Sequence, residues 1–440
     1  MSVNKKAKTL FFVAVLNVLA LSIGFYFMIS PIIYLSLLGF LTIILIAPDS
    51  IVLHLLFFYL PWNGLLKINL ESNSFFTFAV VLLIFKFILL KYRFNKNFSQ
   101  IILLLFLYSI VVKVLNYDSF NARYFVFFTY LIFIVYFISN SDLFFNDLVT
   151  LLFLFSLGTL LANISGDILT KLPHMYGLNK AAETQLETSW GIYRNNAFAG
   201  DPNRNSTQIL VAILSLLIIE IKKPLIKYVM ILSLTFYGML TVSKMFYLVI
   251  VIIFILYLGI RLINKERLLY KLSFFIILIS FGYYVLAFGV VDNQIDNIMQ
   301  RVTQTEGASG LDSGRSSLRK GYYDYLSDNW DTLLFGKGLL TNFKPVRNVA
   351  HNTLIQMLFG LGIIGSGLFV LLIFNMIYFF KNKFRNLSNI LYFFTLILIL
   401  GVSFNALDFL NMDAFFFYIL IMILIKIYLS QKEIRSISIN

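Results

Sequence analysis

The chain of 440 residues has no cysteine, only three histidines, and charge on only 13% of its residues. Without cysteine there are no disulfides and no thiolate metal sites, although this does not identify a compartment. His54, His174 and His351 show none of the His/Asp/Glu spacings that hold a metal. A soluble protein of this length needs more surface charge than is present, so a soluble globular chain is excluded. Also missing are a Gly-x-Ser-x-Gly nucleophile turn and a nucleotide-loop signature. There is no tandem repeat, low-complexity tract or separable soluble module.

What is there is hydrophobic, at 60% of residues. The apolar residues come in runs of about twenty, the length that crosses a bilayer as a helix. Helices are predicted near 9–29, 32–47, 50–66, 75–91, 100–116, 123–139, 147–164, 205–220, 226–243, 245–263, 271–291, 353–380, 387–404 and 415–430. Pro61 interrupts the third. The first run, Leu10 to Ile29, lacks a small-residue cleavage site and is expected to be retained. With the N-terminus inside, every basic cluster beside an apolar run falls on the cytoplasmic face, from Lys5, Lys6 and Lys8 to Lys426, Lys432 and Arg435. The net charge of +14 is therefore a topology signal and does not ask for nucleic acid. The expectation is an all-α polytopic membrane protein, a single transmembrane domain over 1–440. It has about fourteen spans, both ends inside, and two large external loops near 165–204 and 292–351. Loops this long in a compact protein usually carry function.

The chemistry-bearing residues gather in those loops. In "YRNNAFAGDPNRNSTQILV", Arg194 and Arg204 flank the turn Gly200-Asp201-Pro202-Asn203, and Asn205 and Ser206 are candidate helix caps. The stretch reads either as an anion site at a helix start or as a capped helix with solvated arginines. In "SGRSSLRKGYYDYLSDNW", Leu318, Tyr322 and Leu326 form a helical stripe suited to the membrane interface. Arg315 and Arg319, four apart, share a face. Two guanidiniums on one face suit a diphosphate, or snorkel to lipid headgroups. "LLFGKGLL", Leu333 to Leu340, reads as a tight turn resting on the membrane surface. Lys244 sits in the short external turn "LTVSKMF". His351 opens a late apolar helix in "NVAHNTLIQMLFGLGIIG". His54 and His174 read as structural.

The blocks "AFAGDPN", "LTVSK", "GRSSLRKGYYDYL…LLFGKG" and "AHNTLIQMLFGLGIIG" stand in an order that resembles the O-antigen ligase and Wzy-type polymerase superfamily, over roughly 190–365. The resemblance implies a GT-C-type membrane glycosyltransferase acting at the external face of the bacterial inner membrane. Its donor is a glycan on undecaprenyl diphosphate, and it uses neither a nucleotide sugar nor a metal or other cofactor. It further implies that arginines hold the diphosphate and that a histidine handles the acceptor. By motif these are Arg194, Arg315 and His351. Arg319 is less well matched, and Lys244 stands where the family often has arginine.

On that basis, Arg315 and Arg194 stabilise the charge that builds on the leaving diphosphate, with Arg319, Arg204 and Lys244 as secondary candidates. His351 takes the proton of the acceptor hydroxyl. Asp201, Asn203 and Asp408 are the alternatives for acceptor contact or base. The leading reading is a polymerase of O-antigen or capsule repeat units, with a lipid-linked glycan as both donor and acceptor and a chain-length regulator as a partner. The alternatives are a ligase acting on lipid A core and, from a different class, a lipid-oligosaccharide flippase.

Overall fold

The structure, a computed structural model, describes residues 5–68, 74–120, 122–140, 147–175, 194–219, 224–263, 315–341, 343–346, 350 and 352–379. The expected helices 271–291, 387–404 and 415–430 lie outside these. So do His351 and Asp408.

Among the described residues the fold is all-helical. We number the α-helices α1 Lys5–Tyr26, α2 Ser30–Ile46, α3 Asp49–Tyr59, α4 Phe75–Leu89, α5 Lys96–Leu115, α6 Ala122–Ser139 and α7 Leu148–Leu169. They continue as α8 Pro202–Ile218, α9 Pro224–Leu240, α10 Lys244–Ile263, α11 Arg315–Asp328, α12 Trp330–Phe335 and α13 Thr353–Phe379. Five stretches are long and apolar enough to cross a bilayer: Ala7–Tyr26, Lys96–Leu115, Ala122–Ser139, Val149–Leu169 and Thr353–Asn375. Shorter apolar helices accompany them, among them Ser30–Ile46 and Pro224–Leu240. The third expected helix is shorter than its apolar run. It stops at Tyr59 and passes into a 3-10 turn, Leu60–Trp62, because Pro61 cannot donate to the helical ladder.

The described residues divide into two compact units. One contains α1–α3 and α7–α10. Its core is aromatic: the ring of Phe40 meets that of Tyr59 edge-on at 4.7 Å. Tyr59 donates its hydroxyl to Asn17 Oδ1 at 3.0 Å. Gly158 of α7 lies against the Phe58 carbonyl of α3, a main-chain approach that any Cβ would block. His54 Nε2 hydrogen-bonds the Asp147 carbonyl oxygen at 2.8 Å, and His174 Nε2 that of Phe25 at 2.8 Å. Lys227 belongs to a basic cluster but is buried. Its Nζ donates to the carbonyl oxygens of Ile219 (2.8 Å) and Leu217 (3.3 Å), so it caps the C-terminus of α8.

The other unit contains α4 from Thr77 onward, α5, α6 and α11–α13. Phe87 of α4 packs among Phe133, Tyr136 and Phe137 of α6. The stripe on α11 forms at the expected spacing, and two of its three members pack against the protein. Tyr322 and Leu326 are buried in a cluster with Ala350, Ile355 and Phe359, and the Tyr322 and Phe359 rings meet edge-on at 5.1 Å. Phe359 and Ile355 thus offer Tyr322 and Leu326 an apolar partner inside the protein. Within α13 the helix breaks at Gly362, at φ +65° and ψ −174°. The expected single late helix is therefore two helical pieces.

Candidate functional site

In the first unit, three motif segments are bonded to one another. The loop before α8 enters at Arg194, whose Nε donates to the Thr241 carbonyl oxygen at 3.1 Å. The next residue, Asn195, donates its peptide N–H to the Leu240 carbonyl oxygen at 2.8 Å. Thus "YRNNAFAGDPN" and "LTVSK" are joined main chain to main chain. A second set of bonds joins α8 to the same turn. Ser243 Oγ donates to Asn203 Oδ1 at 2.9 Å, and Ser206 Oγ lies 3.3 Å from Ser243 Oγ. Lys244 follows Ser243 directly and opens α10.

Both segments carry residues in the left-handed backbone region, Ala197 at φ +43° and Val242 at φ +47°. For a β-branched residue this is a true outlier, sustained only where the surroundings over-determine it. Around Ala197 the packing is close: the Phe198 ring lies tilted against the buried Trp62 ring at 5.5 Å, its carbonyl lies against Gly64, and Ala197 lies against Gly166.

The start of α8 differs from the sequence reading. Asp201 is its N-cap, accepting from the peptide N–H groups of Asn203 (2.7 Å) and Arg204 (3.2 Å), and Pro202 takes the first helical position. Asn205 and Ser206, taken as caps, lie inside the helix. Asp201 is thus engaged by its own helix, and Asn203 by Ser243. Arg204 sits in the first turn, half-buried.

One residue that sequence reasoning missed organises this unit. Asn163 of α7 is buried and meets Asn205 in a two-way amide pair, at 2.9 and 3.3 Å. Its Oδ1 also lies 3.4 Å from Asn195 Nδ2. The signal was available: a lone asparagine in "LLANISGDIL" is a polar group within an apolar span.

In the second unit, Arg315 is the first residue of α11 and Arg319 lies one turn on, half-buried. The "FGKG" turn is present, with Gly336 at φ +83° and Gly338 at φ +113°. On one side it rests on the protein itself. Lys337 and Gly338 donate their peptide N–H groups to the carbonyl oxygens of Phe359 (2.8 Å) and Gly360 (3.0 Å), at the break in α13. A Cβ on Gly362 would strike the carbonyl of Leu334, and one on Gly336 would come within 2.5 Å of the Gly360 carbonyl oxygen. Only a glycine-to-glycine approach brings these backbones so close.

Helix α5 braces the clasp from a third side. The Tyr108 hydroxyl lies 2.8 Å from the Phe335 carbonyl oxygen and 2.9 Å from that of Leu361. Asn116 Nδ2 donates to the Gly336 carbonyl oxygen at 3.3 Å. Lys113, fully buried, pairs with Asp118 at 2.5 Å and lies over the rings of Phe120 and Tyr124. A Cβ on Gly338 would come within 2.9 Å of Lys113 Cγ. Sequence reasoning gave no role to Tyr108, Lys113 or Asn116, because they lie more than 200 residues from the motif they support.

The structure thus brings Arg194, Asp201, Asn203, Arg204 and Lys244 together in one unit, and Arg315 and Arg319 with the glycine clasp in the other. Among the described residues no three His, Asp or Glu side chains gather as a metal ion would require. The chain matches no known protein-family model, and no curated protein matches it in sequence.

Proposed function

We propose that the chain is a membrane polysaccharide polymerase that transfers a glycan from a polyprenyl diphosphate to the sugar of a second lipid-linked unit. In this reading it crosses the bacterial inner membrane about fourteen times, with both ends cytoplasmic. It presents its two long polar segments outside and belongs to the GT-C type.

What supports the reading most is the arrangement of cations in the first unit. Arg194, Arg204 and Lys244 stand on three segments hydrogen-bonded to one another. Each cation is the chain neighbour, or itself the owner, of a group held by those bonds. Arg194 is itself held, through Nε, and a cation fixed in this way opposes charge that develops on a leaving phosphate without a reorganisation cost. In the other unit, Arg315 and Arg319 stand one turn apart on α11.

In the proposed step, the bond between the sugar's anomeric carbon and the diphosphate oxygen breaks. The acceptor hydroxyl oxygen bonds to that carbon with inversion, and its proton passes to His351. The lipid diphosphate leaves as an anion held by the arginines.

The deciding experiment gives the purified protein one lipid-diphosphate repeat unit and no other acceptor. A ladder of products is expected. No ladder, but transfer once lipid A core is added, makes it a ligase. No glycosidic bond in either case removes the enzymatic reading and favours a lipid-oligosaccharide flippase.

A further inference from the structure

We infer that Asn163 is a positioning residue for the transfer reaction, fixing the register of Arg194 and Arg204 from within the apolar span α7. The inference rests on the function proposed above.

Asn163 is 1% exposed, and its amide is fully committed. Nδ2 donates to the Thr159 carbonyl oxygen at 2.9 Å and reaches Asn205 Oδ1 at 3.3 Å. Oδ1 accepts from Asn205 Nδ2 at 2.9 Å, with Asn195 Nδ2 at 3.4 Å. Asn205 Nδ2 also reaches the Asn195 carbonyl oxygen at 3.2 Å, which ties the loop to α8 directly. Asn195 Oδ1 accepts the peptide N–H of Ala197 at 2.8 Å, holding the left-handed turn.

The two asparagines that Asn163 holds are the immediate chain neighbours of the two arginines: Asn195 follows Arg194, and Asn205 follows Arg204. An apolar residue at 163 would suit a buried span at no desolvation cost, whereas a buried amide is tolerated only when its hydrogen bonds are met. The network therefore does more than fill space. It couples the loop and α8 so that two guanidiniums keep one separation, which a bidentate hold on a diphosphate requires. A displacement of about 1 Å at such a site costs up to about a hundredfold in rate.

The test uses full-length protein in nanodiscs carrying Asn163→Ala or Asn163→Ser. Serine keeps a polar group but not the two-way pairing, and it decides the matter if the alanine variant does not accumulate. Per molecule of monodisperse protein, kcat/KM for the lipid-diphosphate repeat unit should fall about ten- to a hundredfold, with much of the loss in kcat. A packing role alone would lower the melting temperature and leave kcat/KM within about twofold, and that result overturns the inference.

A second readout is independent of activity. The chain has no native cysteine, so Ala199→Cys in the loop reports its protection from a maleimide. Labelling should rise several-fold when the Asn163 amide is removed, and unchanged labelling also overturns the inference. If wild-type protein forms no glycosidic bond, the proposed function and this inference fall together. If the wild type transfers and the variants match it, the inference alone falls.

Discussion

The peptide N–H of Gly338 donates to the carbonyl oxygen of Gly360 at 3.0 Å, so the "FGKG" turn and the broken late helix are held main chain to main chain. In apolar surroundings, a broken helix leaves carbonyl groups that must find donors. Here Phe359 and Gly360 take the N–H groups of the turn, and Leu361 lies within reach of the Tyr108 hydroxyl.

Gly362→Ala should be poorly tolerated. The residue sits at φ +65° and ψ −174°, a region essentially reserved for glycine where a side chain costs about 1–3 kcal/mol, and the added Cβ would meet the Leu334 carbonyl. The purified variant should melt well below wild type. An unchanged melting temperature would contradict the described break.

Tyr108→Phe removes a hydroxyl that lies between two carbonyl oxygens and adds no bulk. The hydroxyl donates to one of them at a time, and a carbonyl left without its donor costs about 1–3 kcal/mol. Thermal denaturation in a fixed detergent should show a drop of that order, and a variant as stable as wild type would remove the brace from the account.

Lys113→Met leaves Asp118 without its buried cation. Removing one partner of such a pair costs about 3–5 kcal/mol. The double variant Lys113→Met/Asp118→Asn should recover part of the loss, because the stranded charge is then gone. Equal stability of the single and double variants would refute the coupling.

Ala197 offers a test of opposite sign. Its left-handed backbone costs about 1–2 kcal/mol that glycine does not incur, partly offset by glycine's greater freedom when unfolded, about 0.5–1 kcal/mol. Ala197→Gly should therefore melt no lower than wild type, while Ala197→Val should melt lower. The reverse order in differential scanning would rule out the described turn at φ +43°.

For the proposed reaction, Arg315→Ala and His351→Ala should abolish polymer while the protein still reaches the membrane. Polymer length and amount are read on a gel beside the membrane-fraction level of each variant. Wild-type polymer in either one ends its assignment.

Much of the helical framework was legible in the sequence, because a span is set by the length and apolarity of a run, and both are local properties. The stripe of Leu318, Tyr322 and Leu326 was also legible as a helix face, but its partner was not. Apolar spacing does not distinguish lipid from Phe359. The cap of α8 was misread because Asn205 and Ser206 have the chemistry of caps, while Asp201 four residues earlier has the geometry. The break at Gly362 was hidden within a continuous apolar run, since a glycine there reads as a mild helix weakener. What reveals it is the approach of Leu334 and Gly336, and contact between distant segments is not written in any window of residues.

The brace of Tyr108 on Leu361 joins residues 253 apart in the chain, and α7–α10 of the other unit are encoded between them. Synthesis therefore inserts α4, α5 and α6 long before their remaining partners emerge. During that interval Tyr108 on α5 has neither Phe335 nor Leu361 to meet. A nascent chain stopped before α11 should differ from the finished protein around α5. The order of biogenesis is thus built into the way the two units are threaded through one chain.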